Sequence, residues 1–463
     1  MFRKKLSFLS VSRPIGGTDT PLSTPYGLLP IFAALLLCDV APAWGHTDKG
    51  QHQVQPQYDK YFTDGTLRVD YYRIGNSHWD TISLHGYGSK SSWAGSNTIL
   101  LDPFDYGTYR VLVKDHYTGR EIYSRTYNTL FHEYCDTPEG KDSVARMEEV
   151  VLLPWPKSKI DICLQKRDEH QQFQTSKTLY FNPKHEHGIT DRQEPSDRQL
   201  LQLQYNGEPR KKIDIAIVPE GYGPDDTNKM RADMRDFTEY IFRVEPFRSR
   251  REDFNVWGVL QTGESSGITD PSKGIKVRST VGASYGTFGS DRYLMTFNLF
   301  RLHDVLSNTP CDHIIIMANS DTYGGGAIYN FYAISAVTTM SPYILPHELG
   351  HSIGGLADEY VEEDGSYADI HKTPYEPTEP NITNLVDFDK KWKDLVAADT
   401  PIPTPPCTLD NPMGTCGTIG VFEGAGYAAR GLYRPVMNCM MRYYAPFCPV
   451  CTRALNAIFD IYL

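Results

Sequence analysis

The sequence predicts an α+β multidomain chain: an N-terminal β-sandwich over 44–190, a linker over 191–200 and an α/β lobe over 201–463. Three observations carry that reading. Before residue 190 the apolar residues come in short alternating runs closed by turn residues, the period of strands with one buried face. Beyond residue 200, short apolar runs alternate with segments whose apolar residues recur every three or four positions, the rhythm of strand and helix. At 463 residues the chain is also long for one domain.

The first element is an export signal over 1–43. Arg3, Lys4, Lys5 and Arg13 form a basic region, Leu28 to Cys38 is an apolar stretch too short to span a bilayer, and Ala41-Pro42-Ala43 is a small-residue cleavage site. Cleavage there starts the mature chain at Trp44, leaves no transmembrane segment, and predicts a secreted, periplasmic or cell-surface protein. The rival is lipid anchoring at Cys38, which the preceding Leu35-Leu36-Leu37 disfavours because such processing wants a small residue.

In the sandwich, Leu67, Val69 and Tyr71 alternate with Arg68, Asp70 and Tyr72, and Tyr109 to Asp115 does the same before the turn Tyr117-Thr118-Gly119. His132 and Glu133 lack a second histidine and read as a strand-end pair. Lys184 to Gln199 has linker composition. The second lobe then runs strand Ile213–Val218, a helix introduced by Asp225-Asp226-Thr227 with Met230, Met234, Phe237 and Ile241 on one face, and strand Phe254–Leu260. An amphipathic helix over Asp291–Leu306, a strand His313–Met317 and an edge strand Ala327–Thr338 complete the sheet. Such an edge suits an extended peptide docking as an added strand, and Gly324-Gly325-Gly326 after Tyr323 would let the preceding loop move.

The chemistry is concentrated in HELGHSIGGLADEY, residues 347–360. Residues four apart on a helix share a face, so His347 and His351 present two imidazoles together, the geometry of a zinc clamp. Glu348 stands beside them as the base that takes a proton from water and returns it to a leaving amine. Gly354-Gly355 suits a left-handed helix end, after which the chain returns with a third ligand. Metzincin-type zinc hydrolases carry a glycine three residues after the second histidine and a ligand three residues beyond it. Counting from Gly354 reaches Ala357, which cannot bind metal; counting from Gly355 reaches Asp358, with Glu359 the competing ligand. One catalytic Zn2+ on His347, His351 and Asp358 is the expected cofactor.

HELGHSIGGLADEY, with PEGY (219–222), YGGGAIYNFYA and YRPVMNCMM, resembles the bacterial IgA peptidase family of zinc metallopeptidases, and LRVDYY, SWAGS, YGTYRVLVKD and SRTYNTLFHEY resemble the β-sandwich those proteins often carry in front. The resemblance covers nearly the whole mature chain. It implies a zinc endopeptidase with a metzincin-like catalytic lobe, without fixing a substrate. Met437, Met440 and Met441 offer the methionine turn of such lobes, with Met441 the best fit, and Tyr443 or Tyr444 is placed to hold an oxyanion.

A net charge of −11 argues against nucleic acid as a partner. The 30 tyrosines and 20 phenylalanines suit peptide or glycan contact, the latter through the N-terminal domain. Eight cysteines remain beyond the export signal, an even number that favours disulfides in an exported chain, although Cys439, Cys448 and Cys451 with Cys416 also suit a structural zinc. Two rivals to an endopeptidase on extracellular proteins, immunoglobulins or other glycoproteins among them, stay open. One is a zinc deacylase on glycans or cell-wall peptides; the other is a non-catalytic surface binder, against which the intact Glu348 argues.

Overall fold

In the computed structural model, residues 54–90, 92–184, 200–362, 374–406 and 417–463 are described. The expected export signal with Cys38, nearly all of the expected linker, and Cys407 and Cys416 lie outside them.

The alternation in the first part builds two antiparallel sheets facing one another. Strands β1 (Phe62–Gly75), β2 (Asp80–Lys90) and β5 (Ala145–Pro156) form one in the order β2-β1-β5; β3 (Tyr109–Asp115), β4 (Glu121–Tyr127), β6 (Ile160–Arg167) and β7 (Phe173–Phe181) form the other as β4-β3-β6-β7. Leu67, Val69 and Tyr71 from β1 meet Val111 and Val113 from β3 and Ile160, Ile162 and Leu164 from β6 in one core. The residues between them on β1 are also buried, because a helix of the second lobe covers that face. Arg68 pairs with Asp70 at 2.6 Å and with Asp304 of that helix at 2.7 Å, and donates to the Phe300 carbonyl. A pair this buried has a desolvation cost and depends on its full set of partners.

The second lobe is a six-stranded sheet of β8 (Leu200–Gln204), β9 (Ile213–Glu220), β10 (Phe254–Val259), β11 (His313–Ala318), β12 (Gly325–Ile328) and β13 (Tyr332–Ala336), ordered β12-β13-β11-β9-β10-β8. The four inner strands run parallel, which explains why every residue of β9 is buried: both faces are covered. Helix α1 (Leu130–Asp136) belongs to the first part; α2 (Thr227–Ile241), α3 (Leu299–Val305), α4 (Ser341–Ser352) and α5 (Pro449–Asp460) to the second. Ile213, Ile215 and Ile217 look into a core with Met230, Met234, Phe237 and Ile241 of α2, Leu345 and Leu349 of α4 and Leu455 of α5. Ala216 and Val218 look the other way, onto Leu299, Leu302 and Val305 of α3. A hairpin of β14 (Phe422–Ala425) and β15 (Ala428–Arg434) stands apart from the main sheet.

Three expectations are corrected. The helix expected over Asp291–Leu306 is confined to Leu299–Val305, because the residues before it run extended: the Met295 amide donates to the Ser284 carbonyl and that of Leu294 to Gly325. The edge strand expected over Ala327–Thr338 is a hairpin, β12 then β13, reversing where Asn330 takes φ 51°. The glycines before it serve close packing rather than motion. A Cβ at Gly324 would lie 2.5 Å from the Tyr285 ring, and one at Gly326 2.4 Å from that of Tyr293.

Met234, with no exposed surface, ties α2 to the core that supports α4. Met234→Ala is expected to destabilise the protein by about 2–5 kcal/mol, read as a lower urea midpoint at unchanged slope.

Candidate metal centre

Helix α4 begins with Pro342 in its first turn, where the missing N–H costs nothing, and the Ser341 hydroxyl donates to Ala336, tying the helix to the end of β13. One turn before its end, the i, i+4 spacing brings the His347 and His351 rings to a centroid separation of 4.8 Å. The helix stops at Gly355, which takes φ 60°, and the amide of Leu356 turns back to the Gly350 carbonyl. The returning chain places Asp358 Oδ1 3.2 Å from His347 Nε2 and 3.4 Å from His351 Nε2, while the two Nε2 atoms are 3.1 Å apart. Asp358, and not Glu359, thus joins the imidazoles.

The hydrogen bonds around this triplet fix what it wants. His347 Nδ1 donates to the Met440 carbonyl at 2.9 Å and His351 Nδ1 to the Leu356 carbonyl at 2.6 Å. With the Nδ1 protons committed to carbonyls, each neutral ring turns an Nε2 lone pair inward. Tyr427 donates its hydroxyl to Asp358 Oδ2, so that oxygen is held while Oδ1, buried, receives no hydrogen bond. Three lone-pair donors therefore converge on one point, and the donor set suits a divalent transition metal, above all zinc. The titration of the groups says the same. Burial works to lower the His351 pKa, yet Asp358 and Glu348 push it up to about 9; burial works to raise Asp358, yet the two histidines hold it well below the usual carboxylate range. A cluster that takes up protons in this way offers the same negative field to a metal ion.

Glu348 follows His347 on the same helix, and its carboxylate lies against the edge strand: a Cβ at Gly325 would sit 3.1 Å from its Oε1. Burial, countered by the two histidines and reinforced by Asp358, raises its pKa. Beneath the helix, the amides of Arg442 and Tyr443 both return to the Cys439 carbonyl in a tight turn carrying the fully buried Met441. The Met441 sulfur would be 2.6 Å from a Cβ at position 350, so the glycine between the histidines is what lets the methionine lie there. Of the two tyrosines after it, Tyr444 packs on Tyr343, one turn before His347, with ring centroids 4.7 Å apart, while Tyr443 lies under the Arg442 guanidinium. Tyr444 is therefore the better placed of the two.

Glu359 turns the opposite way from Asp358. Its Oε1 accepts from Asn381 Nδ2 at 3.0 Å and lies 3.3 Å from Cys451 Sγ, in a buried group with Cys439 and Cys448. Asn381 also exchanges two hydrogen bonds with the backbone of Ala357, 2.8 Å from its amide and 2.9 Å to its carbonyl, so it fixes the segment that carries both carboxylates. The expected disulfides are not formed among the described residues, whose six cysteines are all unpaired.

Sequence reasoning passed over Tyr427 and Asn381 and gave Glu133 a merely structural place. Tyr427 holds Asp358 from a hairpin turn where it takes φ 66°; only the flanking Gly424 and Gly426, both at positive φ, hint at special backbone there. Glu133 comes from α1 in the first part of the chain. Its Oε2 accepts from Tyr293 at 2.5 Å, and burial, opposed by that bond and joined by the charges of Asp136 and Glu348, pushes its pKa up to about 7. His132-Glu133 thus lies within a helix rather than at a strand end, and Glu133 feels the charges of Glu348 and His351, a placement that no local spacing could signal.

A family model described as IgA Peptidase M64 matches residues 201–411 and 407–459, and one described as Peptidase M64 N-terminus matches residues 57–178. No curated protein is similar enough to match the chain.

Tyr427→Phe removes the one hydroxyl that orients Asp358 without changing the ring. Zinc affinity is expected to fall about 10–100-fold, measured by competition with a chromogenic chelator, while the circular dichroism spectrum is unchanged.

Proposed function

Because the chain belongs to the IgA peptidase M64 family and is therefore a peptidase, we propose that it is a zinc-dependent endopeptidase exported to act on extracellular proteins. The observation that carries the metal dependence is the convergence of His347 Nε2, His351 Nε2 and Asp358 Oδ1, with each Nδ1 turned away onto a backbone carbonyl. Zinc held there would supply Lewis acidity, lowering the pKa of water in its remaining position and polarising the carbonyl under attack.

The chain's own groups do the rest. Glu348, its basicity raised by burial, takes the proton of the attacking water and hands it to the departing amine. An extended substrate lies along β12, whose Gly325 abuts the Glu348 carboxylate; the Gly325 amide and carbonyl are already engaged by residues 292 and 294, so docking uses the strand beyond it. Tyr444 reaches from the rim to steady the developing oxyanion. Met441 below the histidines supports a metzincin-like reading of the lobe. The edge strand favours a peptide over a glycan substrate. Export rests on the basic, apolar and small-residue order of residues 1–43, and the family's name makes immunoglobulins a natural member of any substrate panel.

The test is cleavage of a mixed protein library by the purified chain. Hydrolysis is expected to stop with 1,10-phenanthroline and to return with Zn2+. Glu348→Gln should keep its zinc and its melting temperature while turnover drops by about 10²–10⁴. Undiminished cleavage in that variant would take Glu348 out of the reaction, and cleavage indifferent to chelator would remove the metal.

A further inference from the structure

Just behind the donor triplet lies a second group of four possible donors. Cys439 opens the methionine turn, Cys448 caps helix α5, Cys451 sits in the first turn of that helix, and Glu359 follows Asp358. All four are buried, with Cys439, Cys451 and Glu359 having no exposed surface, and one ligand atom from each falls within 4.8 Å of all the others. From this geometry we infer a second metal site, a structural zinc held by Cys439, Cys448, Cys451 and Glu359.

The distances suit a tetrahedral ion. Bonds of about 2.3 Å from zinc to sulfur set two thiolates about 3.8 Å apart. Cys439 Sγ is 3.6 Å from Cys451 Sγ, and Cys451 Sγ is 3.3 Å from Glu359 Oε1. The backbone is arranged around sulfur that carries negative charge. The Cys448 amide donates to Cys439 Sγ at 3.3 Å and the Cys451 amide to Cys448 Sγ at 3.4 Å, the latter at the N-terminus of a 12-residue helix whose dipole favours an anion. Glu359 supplies an independent observation. Its Oε1 is engaged by Asn381, but its Oε2, fully buried, has no hydrogen-bond partner, and among the described residues no lysine, arginine or histidine forms an ion pair with it. The charge of Arg434 eases it only from beyond ion-pair distance; a carboxylate buried in this way is costly, and an ion beside it removes that cost. A disulfide explains the group less well: three sulfurs leave one over, and Glu359 Oε2 is still without a hydrogen-bond partner.

The site expected from sequence took Cys416 as its fourth ligand; Glu359, 57 positions earlier, takes that place, and Cys416 lies outside the described residues. The ion would staple three segments, the extended stretch carrying Asp358, the turn carrying Met441 and the C-terminal helix, of which the first two are also joined by the Glu359 amide to the Met441 carbonyl.

The full-length purified chain is expected to contain two zinc ions by elemental analysis, and one in His351→Ala, which leaves only the sulfur site loaded. Exchange of that remaining ion for Co2+ should give thiolate-to-cobalt charge-transfer absorption in the near ultraviolet, which the triplet of His347, His351 and Asp358 cannot produce because it has no sulfur. Cys451→Ser in the His351→Ala background should abolish the band and bring the metal content to zero. If that variant does not fold, alkylation of the His351→Ala chain decides: the three thiols should resist until chelator is added. A disulfide among Cys439, Cys448 and Cys451 in a peptide map of unreduced protein, or a folded His351→Ala chain with no thiolate band, would overturn the site. Neither result depends on whether the chain hydrolyses peptides, so the two readings fail separately.

Discussion

Two imidazole nitrogens and a carboxylate oxygen, none more than 3.4 Å from another, repel one another unless something positive stands among them. Much of the neighbouring structure exists to impose that unfavourable meeting. The Leu356 and Met440 carbonyls turn the rings, Tyr427 turns the carboxylate, Gly355 reverses the chain so that Asp358 arrives, and Asn381 holds the arriving segment at Ala357. These groups come from four stretches of sequence, at 355–356, 381, 427 and 440, so the cluster records the folding of much of the lobe. Local strain of this kind persists only where the surroundings over-determine it.

The floor under the cluster is arranged by the same economy. Met441 can touch the zinc helix because position 350 has no side chain, and the amide of Glu359 donates to the Met441 carbonyl, joining the methionine turn to the ligand strand. Asp358 and Glu359 are neighbours whose side chains leave opposite faces of an extended segment, as the period of two requires. One serves the imidazoles, the other the cysteines. A one-residue slip of that segment would exchange their surroundings and spoil both.

What could be read in advance follows from the range of the interactions concerned. The pairing of His347 with His351 is set by helical pitch, the helix end by Gly355, and the buried parallel strands by runs such as Ile213–Val218; all are local and all were legible. Asp358 over Glu359 followed from glycine spacing, and after the reversal at Gly355 it is the Asp358 carboxylate that lies beside the rings. The helix expected from Asp291 failed because Leu294 and Met295 are apolar for the sake of strand-like pairing with Gly325 and Ser284, and apolar residues close together do not declare which partner they have. Tyr427 and Glu133 were invisible for a simpler reason. Each is 69 or more positions from the group it serves, and a tyrosine or glutamate at such a distance carries no periodic signal.

The hairpin turn at Asn330 joins the two parts of the molecule. Its amide takes the last carbonyl of the zinc helix, Ser352; its side chain donates to Thr126 of the sandwich; and the neighbouring Tyr329 carbonyl accepts from Asn128. Glu133 likewise reaches across to Tyr293, so the front module touches the second lobe close to Glu348. The two halves thus interlock through backbone and side-chain hydrogen bonds. Substitutions in the sandwich can therefore be felt at the edge strand beside Glu348, and a foreign module in front of this lobe would leave that hairpin turn without its anchors.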